Sequence, residues 1–305
     1  MSQITSLKNK LTRICPDLEL LEREPMNRHT TFRVGGPVSL MALPRTVQQA
    51  QLAVCAAVEE GVRPVFLGNG SNLLVPDVGC HTFVIKTTSG LCQAQVDGTQ
   101  IIAESGILLA RLAVLARDHG LTGLEFAHGI PGSLGGAVTM NAGAYDGEMA
   151  QVITEVTYLT ASGQIETTNE FGFSYRHSAF SDGSRLILSA RMQLQPGDSQ
   201  LIRARMEELM ERRKSKQPLE WPSAGSAFKR PQGYYAAALI DQCGLKGMTV
   251  GGAQVSEKHA GFVINKGGAT CSDVLTLMEQ VRQRVFDATG VLLEPEVKLL
   301  GEELG

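Results

Sequence analysis

Apolar residues recur at helical spacing at the start of the chain. The intervals of three and four residues place them on one face of an amphipathic helix. This stripe consists of Ile4, Leu7, Leu11, Ile14 and Leu18. It predicts a packed N-terminal helix.

Short apolar runs then alternate with further helical stripes. Strands are predicted at residues 62–67, 81–86, 100–105 and 185–194, and a hairpin around an Ala-Ser-Gly turn is predicted at 153–168. Helices are predicted at residues 46–61, capped by Thr46 and ended by Gly61, at 108–120, and at 199–216. A last helix is predicted to start at Ser272 and to end at Gly290. With no internal repeat and with Pro218–Pro222 as the best linker, the pattern predicts an α+β protein with a large first domain and a smaller C-terminal one.

Composition and charge exclude several classes of protein. The 305 residues include 33 glycines and carry a net charge of −3, so the broad positive field of a nucleic-acid-binding protein is missing. No apolar run approaches the ~18 residues of a membrane span, and no signal peptide is evident. The six cysteines show no metal-finger or disulfide-framework spacing. We therefore expect a soluble cytoplasmic protein without a metal ion, which does not act on nucleic acid or in a membrane.

Two glycine-rich loops are candidate ligand-binding segments. The first, GNGSNLL at residues 68–74, follows a predicted strand, but Leu73 replaces the last glycine of a dinucleotide-binding fingerprint. The second, at residues 129–147, lacks the Lys-Ser/Thr of a phosphate-binding P-loop, and Pro131 breaks the nucleophile-elbow pattern. Backbone N–H groups in such loops can bind a diphosphate without a basic patch. A plain strand-ending turn remains an equal alternative for the first loop, whereas ligand binding is favoured for the second.

Arg176, Ser226 and Glu296 lie in three further polar segments, each of which alone is more typical of a solvated loop. Together with the glycine loops, these segments form one series of collinear blocks. The blocks are TTFRVGGP, LGNGSNLLV, GIPGSLGGAVTMNAGAY, FSYRHSAF, SAGSAFKRP, LIDQCGLKGMTVGGAQVSEKHAGFVIN and LEPEVKLLG. In this order they resemble the UDP-N-acetylenolpyruvoylglucosamine reductases of peptidoglycan synthesis, from about Asn27 to Gly301.

The resemblance implies a fold and a cofactor. We expect an N-terminal helix at residues 1–24 and a two-part FAD-binding domain of the vanillyl-alcohol-oxidase type at 25–208, with subdomains at about 25–80 and 81–208. A smaller α+β substrate domain would follow at 209–305. The FAD, bound non-covalently, would contact Arg33, Gly68, Asn69, Gly70, Ser71, Asn72, Gly132, Ser133, Gly135, Gly136 and Asn141.

The resemblance also implies a reaction, in which hydride passes from NADPH through FAD to the enolpyruvyl group of a UDP-sugar. Ser226 would donate a proton to the substrate, Arg176 would stabilise the developing negative charge, and Glu296 would approach the substrate carboxylate. We further hypothesise that Glu296 is protonated in the complex and acts as a hydrogen-bond donor.

Residues for the UDP-sugar itself follow from the same resemblance. They are Arg213, Lys216, Lys229 and Asn265, although Arg213 and Lys216 could equally form a solvated helix end. The short interval between Arg176 and Ser226 resembles the type that lacks an inserted closing loop, so no lid tyrosine is assigned. Some relatives carry Asn where Arg230 stands, which leaves the role of Arg230 open.

Two other functions compete with this one. A flavin oxidase of the same fold would pass electrons to oxygen, but the SAGSAFKRP and LEPEVK blocks are typical of the reductase's substrate domain. A catalytically silent UDP-sugar sensor would not need Arg176, Ser226 and Glu296. Oligomeric state is not predicted by the sequence.

Overall fold

The computed structural model describes residues 2–301, which form a mixed array of helices and strands. The helices are α1 (Gln3–Ile14), α2 (Val47–Glu59), α3 (Leu109–Asp118), α4 (Leu134–Thr139), α5 (Ser199–Lys216), α6 (Ala236–Gln242) and α7 (Cys271–Thr289). The strands are β1 (Glu19–Pro25), β2 (Pro37–Leu43), β3 (Pro64–Leu67), β4 (Leu73–Leu74), β5 (Cys80–Lys86), β6 (Ala94–Asp97), β7 (Gln100–Glu104), β8 (Leu121–Thr122), β9 (Gly143–Ala144), β10 (Gly147–Glu148), β11 (Ile153–Leu159), β12 (Ile165–Thr168), β13 (Leu186–Gln193), β14 (Gln195–Pro196), β15 (Ser223–Ser226), β16 (Thr249–Val250), β17 (Ala253–Val255), β18 (Phe262–Asn265) and β19 (Lys298–Leu299). Short 3-10 helices lie at Met26–Arg28, Glu125–Ala127 and Met149–Gln151.

The first sheet has the order β1-β2-β5-β3. β1 is antiparallel to β2, whereas β2 and β3 both run parallel to β5. α1 and α2 cover this sheet through a core that includes Leu7, Ala53 and Phe83. The predicted cap of α2 is confirmed, because the Thr46 hydroxyl accepts a hydrogen bond from the Gln49 N–H at 3.2 Å. β1 was not predicted, since its sequence ELLEREP lacks the alternation of a half-buried strand.

The N-terminal helix is confirmed, but it is shorter than its apolar stripe. Ile4, Leu7 and Leu11 are buried on α1. The prediction that Ile14 belongs to the packed face is wrong, because Ile14 is the last residue of α1 and 40% of its surface is exposed. Leu18 lies beyond the helix and is buried there.

The second sheet is antiparallel, with the order β12-β11-β13-β7-β6. Its core includes Leu112 of α3, Val138 of α4, Met192 of β13 and Ile202 of α5. The predicted hairpin is confirmed by the antiparallel pairing of β11 with β12. Both sheets and the helices α1 to α5 precede the candidate linker that begins at Pro218.

The third sheet has the order β15-β18-β17-β16 and packs with α6 and α7. The predicted start of α7 at Ser272 is wrong. Thr270 is the cap, because its hydroxyl accepts from the Asp273 N–H while the Asp273 carboxylate accepts from the Thr270 N–H, both at 3.0 Å. This reciprocal capping box satisfies two N–H groups at once, which a cap at Ser272 would not do. The predicted end at Gly290 is confirmed by its left-handed conformation, with φ of 71°.

Two contacts join the C-terminal part to the first sheet's loops. β19 pairs in parallel with β4, which lies just after the first glycine loop. The Asp77 carboxylate accepts hydrogen bonds from the Cys271 and Ser272 N–H groups, at 2.7 and 3.0 Å, and so caps α7 from the other domain. β19 is therefore fixed next to the first glycine loop.

The predicted domain limits stay predictions, and the geometry favours shifting them. The limit at 80/81 falls at the start of β5, which belongs to the first sheet. The limit at 208/209 falls inside the continuous helix α5, whose buried Met206 belongs to the core of the second sheet. Residues 1–24 include most of β1 as well as α1. Limits after Lys86 and after Lys216 would leave both elements whole.

Candidate functional site

A cavity of about 410 Å³ lies between the first and second sheets. β3 and β13 form two of its walls, through residues such as Val65 and Ile187. Predicted cofactor residues from both glycine loops also line it, namely Gly68, Asn72, Gly135 and Gly136. The structure thus brings the two glycine loops to one apolar cavity with polar groups at its wall, as is typical of ligand sites.

The two glycine loops also contact each other directly. The Asn69 side-chain amide donates to the Pro131 carbonyl at 2.8 Å. A Cβ at Gly68 would collide with the Ser133 hydroxyl, and a Cβ at Gly132 would lie 3.8 Å from the Ser71 hydroxyl oxygen. Ser133 in turn caps α4. Asn69 therefore joins the two loops, and the missing side chains of Gly68 and Gly132 allow Ser133 and Ser71 to pack close to the facing loop.

The remaining predicted cofactor residues lie farther from the cavity wall. Gly70 has a φ of 61° and packs so closely on the His29 carbonyl that a side chain would collide with it. Asn141 is buried, and its amide donates to the Ser174 carbonyl at 3.2 Å and accepts from the Ala150 N–H at 2.9 Å. Arg33 is exposed, with a φ of 55°. Asn141 is engaged by main chain, and the structure does not bring Arg33 to the cavity.

Arg176 is held at the tip of a tight turn. Ser174 and His177 exchange two backbone hydrogen bonds, at 3.1 and 3.2 Å, across Tyr175 and Arg176. Arg176 has a φ of 55°, in the left-handed region that a non-glycine residue adopts at a cost. The turn directs its Nε to the Glu296 carboxylate, 2.6 Å away.

Glu296 is placed beside Ser226 by strand-like pairing. The Glu296 N–H donates to the Ala227 carbonyl at 2.9 Å, and the Lys229 N–H donates to the Glu294 carbonyl at 2.8 Å. Ala227 directly follows Ser226 at the end of β15. The Asn72 amide donates to the Glu296 carbonyl at 3.0 Å. The structure therefore brings Arg176, Ser226 and Glu296 together next to a cavity-lining residue of the first glycine loop.

The electrostatics of Glu296 are divided. Burial raises the pKa of its carboxyl group, while Arg176 and, more weakly, Lys229 oppose that shift. Its side chain is 12% exposed and that of Arg176 is 25% exposed. The ion pair favours the carboxylate as long as Arg176 stays in place, and burial favours the neutral acid once Arg176 turns to another anion.

The residues predicted for the UDP-sugar separate into different environments. Lys216 is exposed, and Lys229 is exposed beside the Glu294 carboxylate, with 3.2 Å between Nζ and Oε2. Arg213 is no solvated helix end, because its guanidinium packs under Gly129 of the second loop and its Nε donates to Gln217 at 2.8 Å. Asn265 is buried, and its side-chain amide binds the Phe32 carbonyl and the Gly267 and Ala269 N–H groups. Asn265 is thus engaged by main chain.

Some cavity and site residues were missed from the sequence. Lys298 and Arg185 line the cavity. The Tyr175 hydroxyl accepts from the Arg230 N–H at 3.2 Å and so links the Arg176 turn to the third sheet's domain. Lys298 lies in the same motif as Glu296, which was the available signal, whereas no pattern marks Arg185.

Comparison with known proteins gives the family. The model of the UDP-N-acetylenolpyruvoylglucosamine reductase C-terminal domain matches residues 217–300, and that of an FAD binding domain matches residues 38–169. A UDP-N-acetylenolpyruvoylglucosamine reductase of Pediococcus pentosaceus is 48% identical over 290 residues, covering 94% of this chain and 96% of the relative. The chain belongs to the UDP-N-acetylenolpyruvoylglucosamine reductase family.

Two other members of the reductase family are similar to this chain over nearly its whole length. One from Caldanaerobacter subterraneus is 46% identical over 299 residues, covering 97% of this chain and 99% of the relative. The crystal structure of the enzyme from Thermus caldophilus superposes with a TM-score of 0.80 at 36% identity, over 92% of this chain and 98% of that one. The predicted α+β fold class, with an FAD-binding domain followed by a smaller C-terminal domain, is confirmed. The chain is an FAD-dependent oxidoreductase of this family.

FAD fits the residues present. Gly136 lies at the cavity wall, where a Cβ would meet nothing closer than the Ser133 hydroxyl, at 3.6 Å. Its missing side chain therefore leaves room on the cavity side rather than relieving a clash within the protein. In contrast, a Cβ at Gly135 would lie 2.9 Å from the Ser105 Cβ. Gly136 is the position at which a ligand can approach the backbone of the second loop.

No helix in the described part of the chain is long and apolar enough to cross a membrane.

Proposed function

We propose that this chain reduces UDP-N-acetylglucosamine enolpyruvate to UDP-N-acetylmuramate with NADPH as the hydride donor. FAD, when bound, would accept hydride from NADPH and deliver it to the terminal carbon of the enolpyruvyl double bond. The observation that carries the proposal is that Arg176 pairs with Glu296, that Glu296 pairs with the residue after Ser226, and that Asn72, which lines the cavity, binds the Glu296 carbonyl. The family's substrate domain supplies two of these residues.

Arg176 would stabilise the negative charge that develops on the substrate carboxylate. Hydride addition converts the double bond and carboxylate into an enolate with two negative charges. The Ser174–His177 turn fixes the backbone that carries this guanidinium, and a cation positioned in this way stabilises charge as it develops. Its present partner is the Glu296 carboxylate, at 2.6 Å. The substrate carboxylate would compete for the same guanidinium.

Glu296 would then become a hydrogen-bond donor. A carboxylate beside the substrate's own carboxylate would be repelled, and burial already raises the pKa of Glu296. When Arg176 turns to the substrate, the ion pair that favours ionisation is weakened. Proton uptake by Glu296 would replace repulsion with a hydrogen bond to the substrate oxygen.

Ser226 would complete the reaction by protonating the carbon next to the carboxylate. Its hydroxyl proton moves to that carbon, the carbon–hydrogen bond forms, and the serine oxygen recovers a proton from solvent. Gly225 before it has a φ of 76°, which turns the chain at the end of β15. A hydroxyl is a weak acid, and it can donate its proton to an enolate because the enolate is strongly basic.

The setting of the reaction belongs to the same proposal. The six cysteines are free thiols, which fits a reducing cytoplasm. We place the reaction at a cytoplasmic step of peptidoglycan precursor synthesis, on a small-molecule substrate. Non-covalent binding of FAD is supported by the cavity wall, where the described lining residues include no His, Cys or Tyr to form a flavin bond.

Analysis of the products formed by the wild-type protein and by Ser226→Ala tests the proposal. We expect the wild-type protein to convert UDP-N-acetylglucosamine enolpyruvate and NADPH into UDP-N-acetylmuramate, detected by mass spectrometry. Ser226→Ala should still oxidise NADPH to the extent of its bound FAD but should yield no product. Product formation by Ser226→Ala at the wild-type rate would refute the role of Ser226. Oxygen consumption with a simple alcohol, without reduction of the enolpyruvyl substrate, would favour the oxidase instead.

A further inference from the structure

The charged residues that the structure describes in the cavity wall are all cations. Arg63, Arg185 and Lys298 line it, and among the lining residues that the structure describes there is no Asp or Glu. A cavity with cations and no carboxylates favours an anionic ligand. Which of the three cations is available to such a ligand depends on its protein contacts.

Two of the cations are committed to the protein. Arg63 is exposed and donates through Nη2 to the Asp182 carbonyl at 3.2 Å. The Arg185 guanidinium lies 4.8 Å from the Phe180 ring centroid and 5.4 Å from that of Tyr158, and it donates to the Ala179 carbonyl. Both guanidinium groups are thereby held at the cavity wall.

Lys298 differs from both. It is half-buried, and its ammonium makes one long hydrogen bond, to the Ser181 carbonyl at 3.4 Å. No carboxylate forms an ion pair with it within residues 2–301. Burial lowers the pKa of this ammonium, and Lys229 lowers it further. A half-buried ammonium without a carboxylate partner is costly, and an anion in the cavity would offset that cost.

The backbone of Lys298 is fixed to the first glycine loop. Its N–H donates to the Asn72 carbonyl at 3.1 Å, and β19 continues this contact by pairing with β4. The Leu300 N–H donates to the Leu74 carbonyl at 2.8 Å. The backbone of Lys298 is therefore held by paired strands next to Asn72, which lines the same cavity.

We propose that Lys298 is the cation that binds negative charge on the FAD held in this cavity. The inference rests on FAD binding, which family membership shows, and it assigns a residue rather than the cofactor. Two parts of the cofactor carry such charge: its diphosphate, and the N1–C2=O edge of the reduced isoalloxazine ring. A charge-assisted hydrogen bond to either would satisfy the ammonium.

The experiment compares Lys298→Met and Lys298→Arg with the wild type. Lys246→Met is the control, because Lys246 is an exposed lysine paired with Asp241, away from the cavity. FAD is removed, and the dissociation constants of FAD and of riboflavin are measured by flavin fluorescence. The midpoint potential of the reconstituted protein is measured spectroelectrochemically. Urea unfolding of the FAD-free proteins checks that each variant folds, and Lys298→Gln replaces a Met variant that does not.

The expected result is a change specific to the cavity lysine. If the ammonium binds the diphosphate, FAD affinity falls about 10- to 100-fold in Lys298→Met while riboflavin affinity is unchanged. If it binds the ring, the midpoint potential becomes more negative while the affinity for oxidised FAD changes little. In either case Lys298→Arg retains most of the wild-type value and Lys246→Met matches the wild type.

The proposal is overturned if the folded Lys298→Met protein matches the wild type within twofold in FAD affinity and has an unchanged midpoint potential. An equal change in Lys246→Met would overturn it as well, because the effect would then be general to lost charge. None of these measurements uses the UDP-sugar. A wild-type protein that binds FAD but does not reduce the enolpyruvyl substrate would therefore defeat the proposed function without touching this inference.

Discussion

Gly136→Ala should separate cofactor binding from folding stability. Gly136 lies in the first turn of α4, and its φ is not positive, so alanine can adopt the same backbone conformation. The added Cβ would lie 3.6 Å from the Ser133 hydroxyl, an ordinary contact, and would otherwise face the cavity. The protein itself therefore accepts the methyl group, and the space taken is that of the ligand.

The two expected effects have opposite signs. Replacing glycine by alanine in a helix raises the free energy of unfolding by roughly 0.5–1 kcal/mol, because the unfolded chain loses conformational freedom. An overpacked contact between the methyl group and the bound cofactor costs about 1–3 kcal/mol, which corresponds to a dissociation constant for FAD that is roughly 5- to 150-fold larger. The FAD-free variant should thus be slightly more stable than the wild type and should bind FAD more weakly.

Urea unfolding of the FAD-free protein and fluorescence titration with FAD measure the two quantities. Gly135→Ala is the matched control, because its Cβ would lie 2.9 Å from the Ser105 Cβ and should destabilise the protein with or without FAD. Unchanged FAD affinity in Gly136→Ala would refute the assignment of the second glycine loop to the cofactor. A loss of stability in that variant would show that its helix has less room than the structure describes.

Three further predictions concern other parts of the molecule. Glu296→Gln should keep appreciable turnover, because a neutral amide can donate the hydrogen bond, whereas Glu296→Ala should not; equal loss in steady-state assays of both would refute the donor role. Burial lowers the pKa of His29 in the folded protein; Lys86 lowers this pKa further, and Glu24 opposes the shift. The neutral imidazole therefore stabilises the fold above the unfolded pKa of about 6.5. That contribution is lost as pH falls through the lower pKa of the folded state. His29→Gln should therefore flatten the acid side of the stability-against-pH curve from urea unfolding, and an unchanged curve would contradict this. Asp77→Ala removes a cap from α7 and should lower the free energy of unfolding by about 0.5–2 kcal/mol in the same assay, while Asp77→Asn should lose less.

Local signals in the sequence predicted the helices α1, α2, α3, α5 and α7, but among the strands only β3, β5, β7, β11, β12 and β13 of those that the structure describes. Thr46 and Gly61 mark the ends of α2 because capping and chain reversal depend on neighbouring residues alone. The sequence predicts a start of α7 at Ser272 because serine is a favoured cap, but the reciprocal Thr270–Asp273 hydrogen bonds begin the helix two residues earlier. β1 was not predicted because apolar and polar residues do not alternate along it and because its partner strand β2 lies later in the chain. Sequence patterns thus failed where a long-range contact decides the structure, as at β1, and where two neighbouring residues are both suitable caps, as at the start of α7.

The candidate site was predictable by resemblance more than by residue pattern. Arg176 and Glu296 are 120 residues apart, so no spacing rule could pair them. Asn141 and Asn265 look like ligand-binding amides in sequence, yet both are buried and bind main chain, which burial requires of an amide. Lys298 reaches the cavity only through the parallel pairing of β19 with β4.

The proposed electron transfer from this FAD-dependent oxidoreductase to an enolpyruvyl UDP-sugar can be followed in the flavin spectrum. Anaerobic stopped-flow absorbance records the flavin after NADPH is added and then after UDP-N-acetylglucosamine enolpyruvate is added. We expect NADPH to bleach the flavin and the sugar to restore its absorbance in stoichiometric amount. A flavin that stays reduced after the sugar is added, and regains its colour only with oxygen, would contradict it.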